Sequence, residues 1–190
     1  MSNFVALVEE PSSIHLTTGQ RQAWPYDKIK WYWGFKLMSI EARLASLGIV
    51  LPDLPAPGGL YVPGVLHSGI LYLSGQGPIL EDGNLAKGVV GQEVSLDDAR
   101  FHARRSGMVL LSAARHMLGS LDRVERILNV LGMVNAAPCF MQHPKVINGC
   151  SELFIDVFGE AGRHARAAVG MGTLPDNISV EITAIMAVKS

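Results

Sequence analysis

Charged residues are scarce in this chain, which argues against partners that are recognised mainly by charge. Of its 190 residues, 17% are charged, and the net charge is -1. This balance creates no strong field toward nucleic acid or an anionic membrane. The sequence also lacks a run of about 18 apolar residues that could span a bilayer. Glu9 and Glu10 stand where a signal peptide would carry basic residues. We therefore expect a cytoplasmic protein with neither a membrane nor a nucleic acid as its partner.

Cysteine is rarer still, and the histidines show no ligand pattern. Cys139 and Cys150 lie outside any CxxC spacing, and the six histidines form neither HxH nor HExxH. The segments Gly75-Gln-Gly77 and Gly170-Met-Gly172 are not followed by the helix-opening glycine of a phosphate site. Gly-x-Ser-x-Gly is absent. We expect no metal, no cofactor and no nucleophilic triad.

Apolar residues, by contrast, are plentiful, and the chain divides into two parts. Hydrophobic residues make up 48% of the sequence, enough for one domain with its own core. Residues 1–37 hold all three tryptophans, which we expect to pack on their own chain or on a neighbouring subunit. A helix is predicted to open at Met38, and the proline- and glycine-rich stretch 49–60 predicts an extended linker. We assign residues 1–59 to an N-terminal arm, helix and linker, and residues 60–190 to the domain.

Hydrophobic periodicity within the domain predicts alternating strands and helices. Ser95 precedes a helical pattern that runs to Leu118, with Gly119 after it. Short apolar runs before Ser95 predict a strand and a hairpin. Beyond Gly119 the pattern predicts a strand over 123–134, a helix over 145–158, and strands over 166–173 and 178–188. The order β-β-α-β-α-β-β predicts an α+β domain with its helices on one face of a mixed sheet.

Two charged residues stand in the last two predicted strands, which are otherwise apolar. Charges rarely occupy such strands unless they are paired or contact a ligand. Arg166 offers a planar fork that binds a carboxylate through two hydrogen bonds, although strand context alone fits a structural ion pair equally well. Partial burial would raise the pKa of Glu181 and suit it to orienting or deprotonating a water; it could also simply pair with an arginine.

The distance between these two residues bears on how a site could form. If the last two strands pair as an antiparallel hairpin about Pro175, Arg166 faces residue 185 or 186. Glu181 then lies roughly 13 to 17 Å away along the strand, at about 3.3 Å per residue. The two side chains could not touch within one chain. We predict a site that combines Arg166 of one subunit with Glu181 of the next.

Three motifs follow one another in a fixed order over residues 60–188. They are Tyr61-Val-Pro-Gly-Val leading to Leu73-Ser-Gly-Gln-Gly-Pro78, Arg166 leading to Leu174-Pro175, and Val180-Glu-Ile182 leading to Ala184-Ile185. With these motifs the sequence resembles the RidA/YjgF family, also labelled endoribonuclease L-PSP, whose archetypes are reactive intermediate (imine) deaminases. The resemblance implies a chorismate-mutase-like α+β fold, a homotrimer, and ligand pockets between subunits.

The resemblance also implies roles for particular residues. Arg166 and Glu181 would be catalytic, and the substrate would be bound by Tyr61, Ser74, Gly75 and Asn148. Hydroxyls of Tyr61 and Ser74 and the amide of Asn148 can orient a small polar ligand. Without the resemblance, all three have structural explanations: closure of a strand start, a turn, and a helix or loop backbone partner.

Some positions differ from the family archetype. Ala167 and Ala168 replace a hydroxyl and a thiol residue, and His164 stands where proline is usual. The loop from Asn135 to Val146 is longer. The chain therefore resembles a divergent branch that carries an N-terminal extension.

The resemblance implies a cofactor-free hydrolase of the 2-iminoacid deaminase type. It would convert reactive 2-imino or enamine acids, which are small carboxylate-bearing metabolites, to 2-keto acids and ammonia. A non-catalytic trimer that binds or senses carboxylate ligands is a second reading, and endoribonuclease is a third. The third has little support in the sequence, because no histidine pair or aromatic-basic stripe is visible.

Overall fold

The computed structural model describes residues 38–189, so the predicted arm at 1–37 and its tryptophans lie outside the described residues. The described part begins with a short helix, α1, Ile40–Ser46. Its N-cap is Ser39, whose side chain accepts a hydrogen bond from the backbone amide of Ala42. The helix predicted after Met38 is thus confirmed, whereas the domain boundary at residues 59 and 60 stays a prediction.

Five strands form one mixed sheet. They are β1, Gly64–His67; β2, Ile70–Gln76; β3, Val124–Asn135; β4, Ala165–Met171; and β5, Val180–Val188. Their order across the sheet is β1-β2-β5-β3-β4. Neighbours are antiparallel except β3 and β4, which are parallel and therefore need a crossover connection.

Two long helices complete the fold: α2, Leu96–Leu118, and α3, His143–Phe158, which forms the crossover between β3 and β4. The side chain of Ser95 accepts a hydrogen bond from the Asp98 amide at 3.1 Å and caps α2 as predicted. Gly119 ends α2 with a φ of 79°, a left-handed conformation that glycine adopts without strain. Pro144 lies in the first turn of α3, where its missing N–H interrupts no helical hydrogen bond.

The helices pack on one face of the sheet and bury the core there. Val180, Ile182 and Ala184 of β5 are buried on this face, and Ile147 of α3 lies directly over Gly132 of β3. Within residues 38–189, no helix covers the opposite face, which we call the open face. The predicted α+β class, with helices on one face of a mixed sheet, is confirmed.

One predicted strand pairing is wrong. β4 and β5 do not form a hairpin, because β3 lies between them and pairs with β4 in parallel and with β5 antiparallel. The assumption that strands adjacent in sequence are neighbours failed because β5 inserts between β2 and β3, where both of its edges are hydrogen-bonded.

Residues 47–55, which we call the N-terminal strap, run from α1 across the surface of α2. Leu51 is 9% exposed and belongs to the core cluster. The Ser112 hydroxyl of α2 donates a hydrogen bond of 2.6 Å to the Pro52 carbonyl. The strap is therefore anchored by both an apolar and a polar contact. Across the described range, no helix combines the length and apolar character needed to cross a membrane.

Candidate functional site

Arg166 lies on β4, the edge strand beside α3, and three acceptors hold its guanidinium. Nη1 donates to Asn148 Oδ1 and to Ser151 Oγ, each at 2.9 Å, and Nη2 donates to the Pro144 carbonyl at 3.4 Å. All three acceptors belong to α3, and Asn148 and Ser151 are three residues apart on one helix face. The structure therefore brings two of the predicted site residues, Arg166 and Asn148, together.

These acceptors are neutral, and they leave one edge of the guanidinium open. Among the described residues, no carboxylate forms an ion pair with Arg166. Its Nε–H and one of its two Nη2–H groups donate to no described residue. This pair has the geometry that accepts both oxygens of a carboxylate. Arg166 is thus fixed in position while part of its donor capacity is available.

A directed chain of hydrogen bonds extends from Arg166 to His164. His164 Nδ1 lies 2.6 Å from the Gly162 carbonyl, which can only accept, so Nδ1 carries the proton. Nε2 must then accept from the Ser151 hydroxyl at 3.0 Å, while Ser151 Oγ accepts from Arg166. Burial lowers the pKa of His164 and the Arg166 charge adds to this, although the hydrogen bond to the Gly162 carbonyl raises it. The net lowering favours the neutral ring that the chain requires.

Ser151 was missing from the predicted site, and His164 was noted only as a departure from the family pattern. The signal for Ser151 was its position one helical turn after Asn148, which places both side chains on one face of α3. His164 could not be connected to it without the chain reversal between α3 and β4. Nearby, burial raises the pKa of the Cys150 thiol, although the Arg166 charge opposes this, so Cys150 is a packing residue.

Glu181 lies on β5 and faces the opposite side of the sheet. It is flanked by Val180 and Ile182, which point into the core, so its own side chain lies on the open face. Burial raises the pKa of its carboxyl above the usual value of 4.5. Glu181 forms no ion pair with any residue that the structure describes.

Gly75 of β2 makes room for this carboxylate. A Cβ on Gly75 would overlap Glu181 Oε1 and would stand 2.9 Å from its Cδ. The strands shift register between Leu73 and Gln76, a β-bulge that brings the Gly75 backbone close to Glu181. The predicted residues Glu181 and Gly75 are therefore neighbours.

The remaining two predicted residues, Ser74 and Tyr61, make hydrogen bonds to the chain before β1. The Ser74 hydroxyl donates 2.7 Å to the Val62 carbonyl, and the Ser74 amide bonds the Pro63 carbonyl at 3.0 Å. The Tyr61 hydroxyl accepts a hydrogen bond of 3.3 Å from the Gly58 amide, and the residue is 51% exposed. Both hydroxyls therefore have structural partners, and each retains a free acceptor lone pair.

The six predicted residues form two groups that do not meet within one chain. Arg166 pairs with Val130, and Val130 with Ala184, three residues from Glu181 on β5. The two Cα atoms are therefore separated by about 10 Å along the strands and about 10 Å across two strand spacings. Moreover, Arg166 points to the helical face and Glu181 to the open face. The predicted separation holds, although its reason was a wrong strand pairing.

In the described part of the chain, no group of three or more His, Cys, Asp or Glu side chains could hold a metal ion. What the geometry offers is a cationic clamp with an open edge and a half-buried carboxylate with a raised pKa. Both are suited to a small carboxylate-bearing ligand and a water.

Comparison with known proteins identifies the family of the chain. A family model described as "YjgF/chorismate_mutase-like, putative endoribonuclease" matches residues 41–187, which include the strap and all of α1 but its first residue. The chain belongs to this YjgF/chorismate-mutase-like family, and the assignment made from the motifs is confirmed.

Particular relatives extend this match. The chain is 38% identical over 148 residues to Protein TCP17 of Trypanosoma cruzi, covering 77% of this chain and 92% of that protein. The crystal structure of Atu1372 from Agrobacterium tumefaciens, a protein with unknown function, is 39% identical, with a TM-score of 0.73 over 84% of this chain and 99% of that one. A "putative endoribonuclease" from Shewanella oneidensis is 28% identical, with a TM-score of 0.77 over 80% and 100% of the two chains.

Proposed function

We propose that this protein hydrolyses reactive 2-imino or enamine acids to 2-keto acids and ammonia without a cofactor. The observation that carries the proposal is the guanidinium of Arg166, which three neutral acceptors hold while its Nε/Nη2 edge stays open. A substrate α-carboxylate would occupy that edge through two charge-assisted hydrogen bonds. Fixing the carboxylate places the adjacent imine carbon at a defined position.

The chemical step needs little more than a placed water and a proton relay. The water oxygen attacks the imine carbon, and the C=N π electrons move to nitrogen, which takes up a proton. Glu181 accepts a proton from the water and returns it to the nitrogen. In the resulting carbinolamine, the hydroxyl gives its proton through Glu181 to the nitrogen, and the C–N bond then breaks and releases ammonia as the C=O bond forms. A carboxylate whose pKa is raised by burial is a stronger base for this relay than an exposed one.

We further propose that the active site is shared between subunits of a homotrimer. Arg166 and Glu181 cannot reach one substrate within a chain, since they lie on opposite faces of the sheet. The open face carries exposed apolar side chains, among them Tyr72 at 49% and Val169 at 39%. Covering these side chains with a second copy would remove apolar surface from water and bring Glu181 to a subunit boundary.

A second candidate is ligand binding without turnover. The clamp at Arg166 is complete within one chain, whereas Glu181 is remote from it, so binding needs fewer conditions than hydrolysis. Ala167 and Ala168, which follow Arg166 on β4, also supply no hydroxyl or thiol beside it. Stable binding of 2-keto acids in the absence of imine hydrolysis would select this function.

Endoribonuclease activity is a third candidate, because the family description and the Shewanella oneidensis relative carry that name. An arginine fork can bind a phosphate as well as a carboxylate. RNA cleavage that disappears in both Arg166→Ala and Glu181→Gln would select it.

The decisive experiment measures ammonia release from imines generated in situ by an amino acid oxidase, across several amino acids. We expect the wild type to accelerate release and Arg166→Ala to lose at least about 100-fold in kcat/KM, as removal of two charge-assisted hydrogen bonds implies. Arg163→Ala is the matched control, because Arg163 is exposed and paired with Glu160 at 3.0 Å. Full ammonia release by Arg166→Ala would refute the proposal.

A further inference from the structure

A cavity whose lining includes neither Arg166 nor its hydrogen-bond partners lies between the N-terminal strap and α2. It has a volume of about 800 Å³ and is walled by residues 47–55, the loop at 79–83 and the first half of α2. We call it the strap cleft. Small-molecule sites commonly have volumes of about 300 to 1,000 Å³. The strap is held over α2 by buried Leu51 and by the Ser112 hydrogen bond, so the cleft is a fixed part of the fold.

Arg105 of α2 is a buried cation in the wall of this cleft. The residue is only 8% exposed, and its Nε donates a hydrogen bond of 2.6 Å to the Ile79 carbonyl. Its Nη1 makes a long contact of 3.8 Å to Met108 Sδ, and its Nη2 donates to no described residue. Among residues 38–189, Ser106 Oγ is the only fully buried side-chain N or O atom that has no hydrogen-bond partner. Because Arg105 Nη2 also has no partner, it is not fully buried, and it contacts solvent through the cleft.

A buried guanidinium without a counter-ion is costly, and such groups are usually paired. The acidic residues that line the cleft, Asp53 and Glu81, form no ion pair with Arg105. The neighbouring Arg104 is already paired with Asp156 at 3.1 Å. Arg105 is therefore the cation in the cleft whose charge lacks an ion-pair partner among the described residues.

The rest of the lining defines what kind of anion would fit. Phe101 is 49% exposed and Val50 is 82% exposed, so both present apolar surface to a ligand. Asp53 and Glu81 disfavour multiply charged anions such as phosphates through like-charge repulsion. A single carboxylate on an apolar body satisfies both conditions, because its charge meets Arg105 and its body covers Phe101 and Val50.

We infer that the strap cleft is a second binding site, separate from Arg166, for a monocarboxylate with an apolar body. Arg105 anchors the carboxylate through its free Nη2, and the strap and Phe101 enclose the apolar part. The inference does not rest on the proposed hydrolysis, since none of its residues belongs to the clamp or to the Glu181 group.

Calorimetric titration of the full chain tests this site with phenylacetate as the probe. The protein carries Arg166→Ala, so that the other arginine cannot bind the carboxylate. We expect saturable binding of one phenylacetate per chain and at least about tenfold weaker binding when Arg105→Met is added. Arg100→Met is the control, because Arg100 lies on the same helix but pairs with Glu152 at 2.6 Å.

Two further measurements guard against misfolding and non-specific binding. Val50→Asp alters a side chain that is 82% exposed, so it should leave the melting temperature unchanged while weakening binding several-fold by charge repulsion. Phenylacetamide, which lacks the charge, should bind at least about tenfold more weakly than phenylacetate. The inference is overturned by equal affinity in the Arg105→Met protein, by equal affinity for the amide, by phosphate binding in place of phenylacetate, or by no saturable binding.

Discussion

The carboxylate of Glu181 fills the space that a side chain on Gly75 would occupy. A backbone bulge on β2 and a charged residue on β5 are thereby matched to each other. The fit places the carboxylate without using an ion pair, so its position depends on the absence of one methyl group.

Gly75→Ala should therefore uncouple activity from folding. The new Cβ meets the end of a flexible side chain, so we expect the melting temperature to change little. Displacing the carboxylate should lower kcat for imine hydrolysis on the order of 10- to 100-fold. Gly172→Ala is the control, because a Cβ there meets no atom within 4 Å. Unchanged kcat in Gly75→Ala would remove Glu181 from the mechanism.

The raised pKa of Glu181 predicts a pH dependence of hydrolysis. As the base, Glu181 must be deprotonated, so kcat/KM should fall as pH drops through a pKa above the usual 4.5. Glu181→Gln should lower the rate by about 100-fold or more and abolish this acid limb. Glu125→Gln, which alters an exposed carboxylate at the start of β3, should keep the limb. If the acid-side fall of kcat/KM persists in Glu181→Gln, the base is a residue other than Glu181.

His164 predicts a pH dependence of stability. Its pKa in the folded protein lies below the usual 6.5, so the unfolded chain binds more protons between these two values. Stability present above pH 6.5 should therefore be lost as pH falls toward the folded pKa. Chemical denaturation of wild type and His164→Gln should show a smaller acid loss in the variant. Exposed His67→Gln should behave as wild type, and equal losses in all three would contradict the prediction.

A site shared between subunits predicts complementation. Arg166→Ala and Glu181→Gln are each expected to be nearly inactive alone. After unfolding and joint refolding in equal amounts, about a quarter of the subunit boundaries should combine an intact Arg166 with an intact Glu181. Ammonia release should recover accordingly. If the mixture is no more active than its separate components, Arg166 and Glu181 do not share a site between subunits.

The hydrogen bond from Arg166 to Ser151 predicts that Ser151 affects substrate binding by positioning the guanidinium. Ser151→Ala removes one acceptor of the guanidinium and leaves His164 Nε2 without its donor. We expect KM for imino acids to rise about tenfold, with a smaller change in kcat, since one hydrogen bond to a charged group is lost. Ser151→Thr retains the hydroxyl and should restore KM. If KM stays constant in Ser151→Ala, the Arg166 geometry does not depend on this chain.

Local patterns in the sequence predicted most elements of the fold. Ser95 and Gly119 marked the ends of α2 correctly because caps are formed by residues close in sequence. The neighbour of β4 could not be read in this way. Whether β4 pairs with β3 or with β5 is decided by packing of α3 on the sheet, a long-range effect that hydrophobic periodicity does not encode.

The same distinction applies to the site. Arg166 and Glu181 were visible because a charge in an apolar strand is unusual within its own segment. Ser151, His164 and Arg105 were not, because their significance depends on which element lies opposite them. In the sequence, Arg105 is one of several cations in a predicted helix, and only the structure shows that it is buried beside the strap.

The insertion of β5 between β2 and β3 also has a consequence for biosynthesis. While the chain emerges from the ribosome, β1-β2 and β3-β4 are made first and each presents an unpaired edge strand. Only the emergence of residues 180–188 joins these two halves, and the same segment delivers Glu181. A nascent chain that stalls before β5 therefore lacks Glu181 and exposes the two strand edges that β5 covers in the folded sheet, which makes it a target for chaperones and proteases.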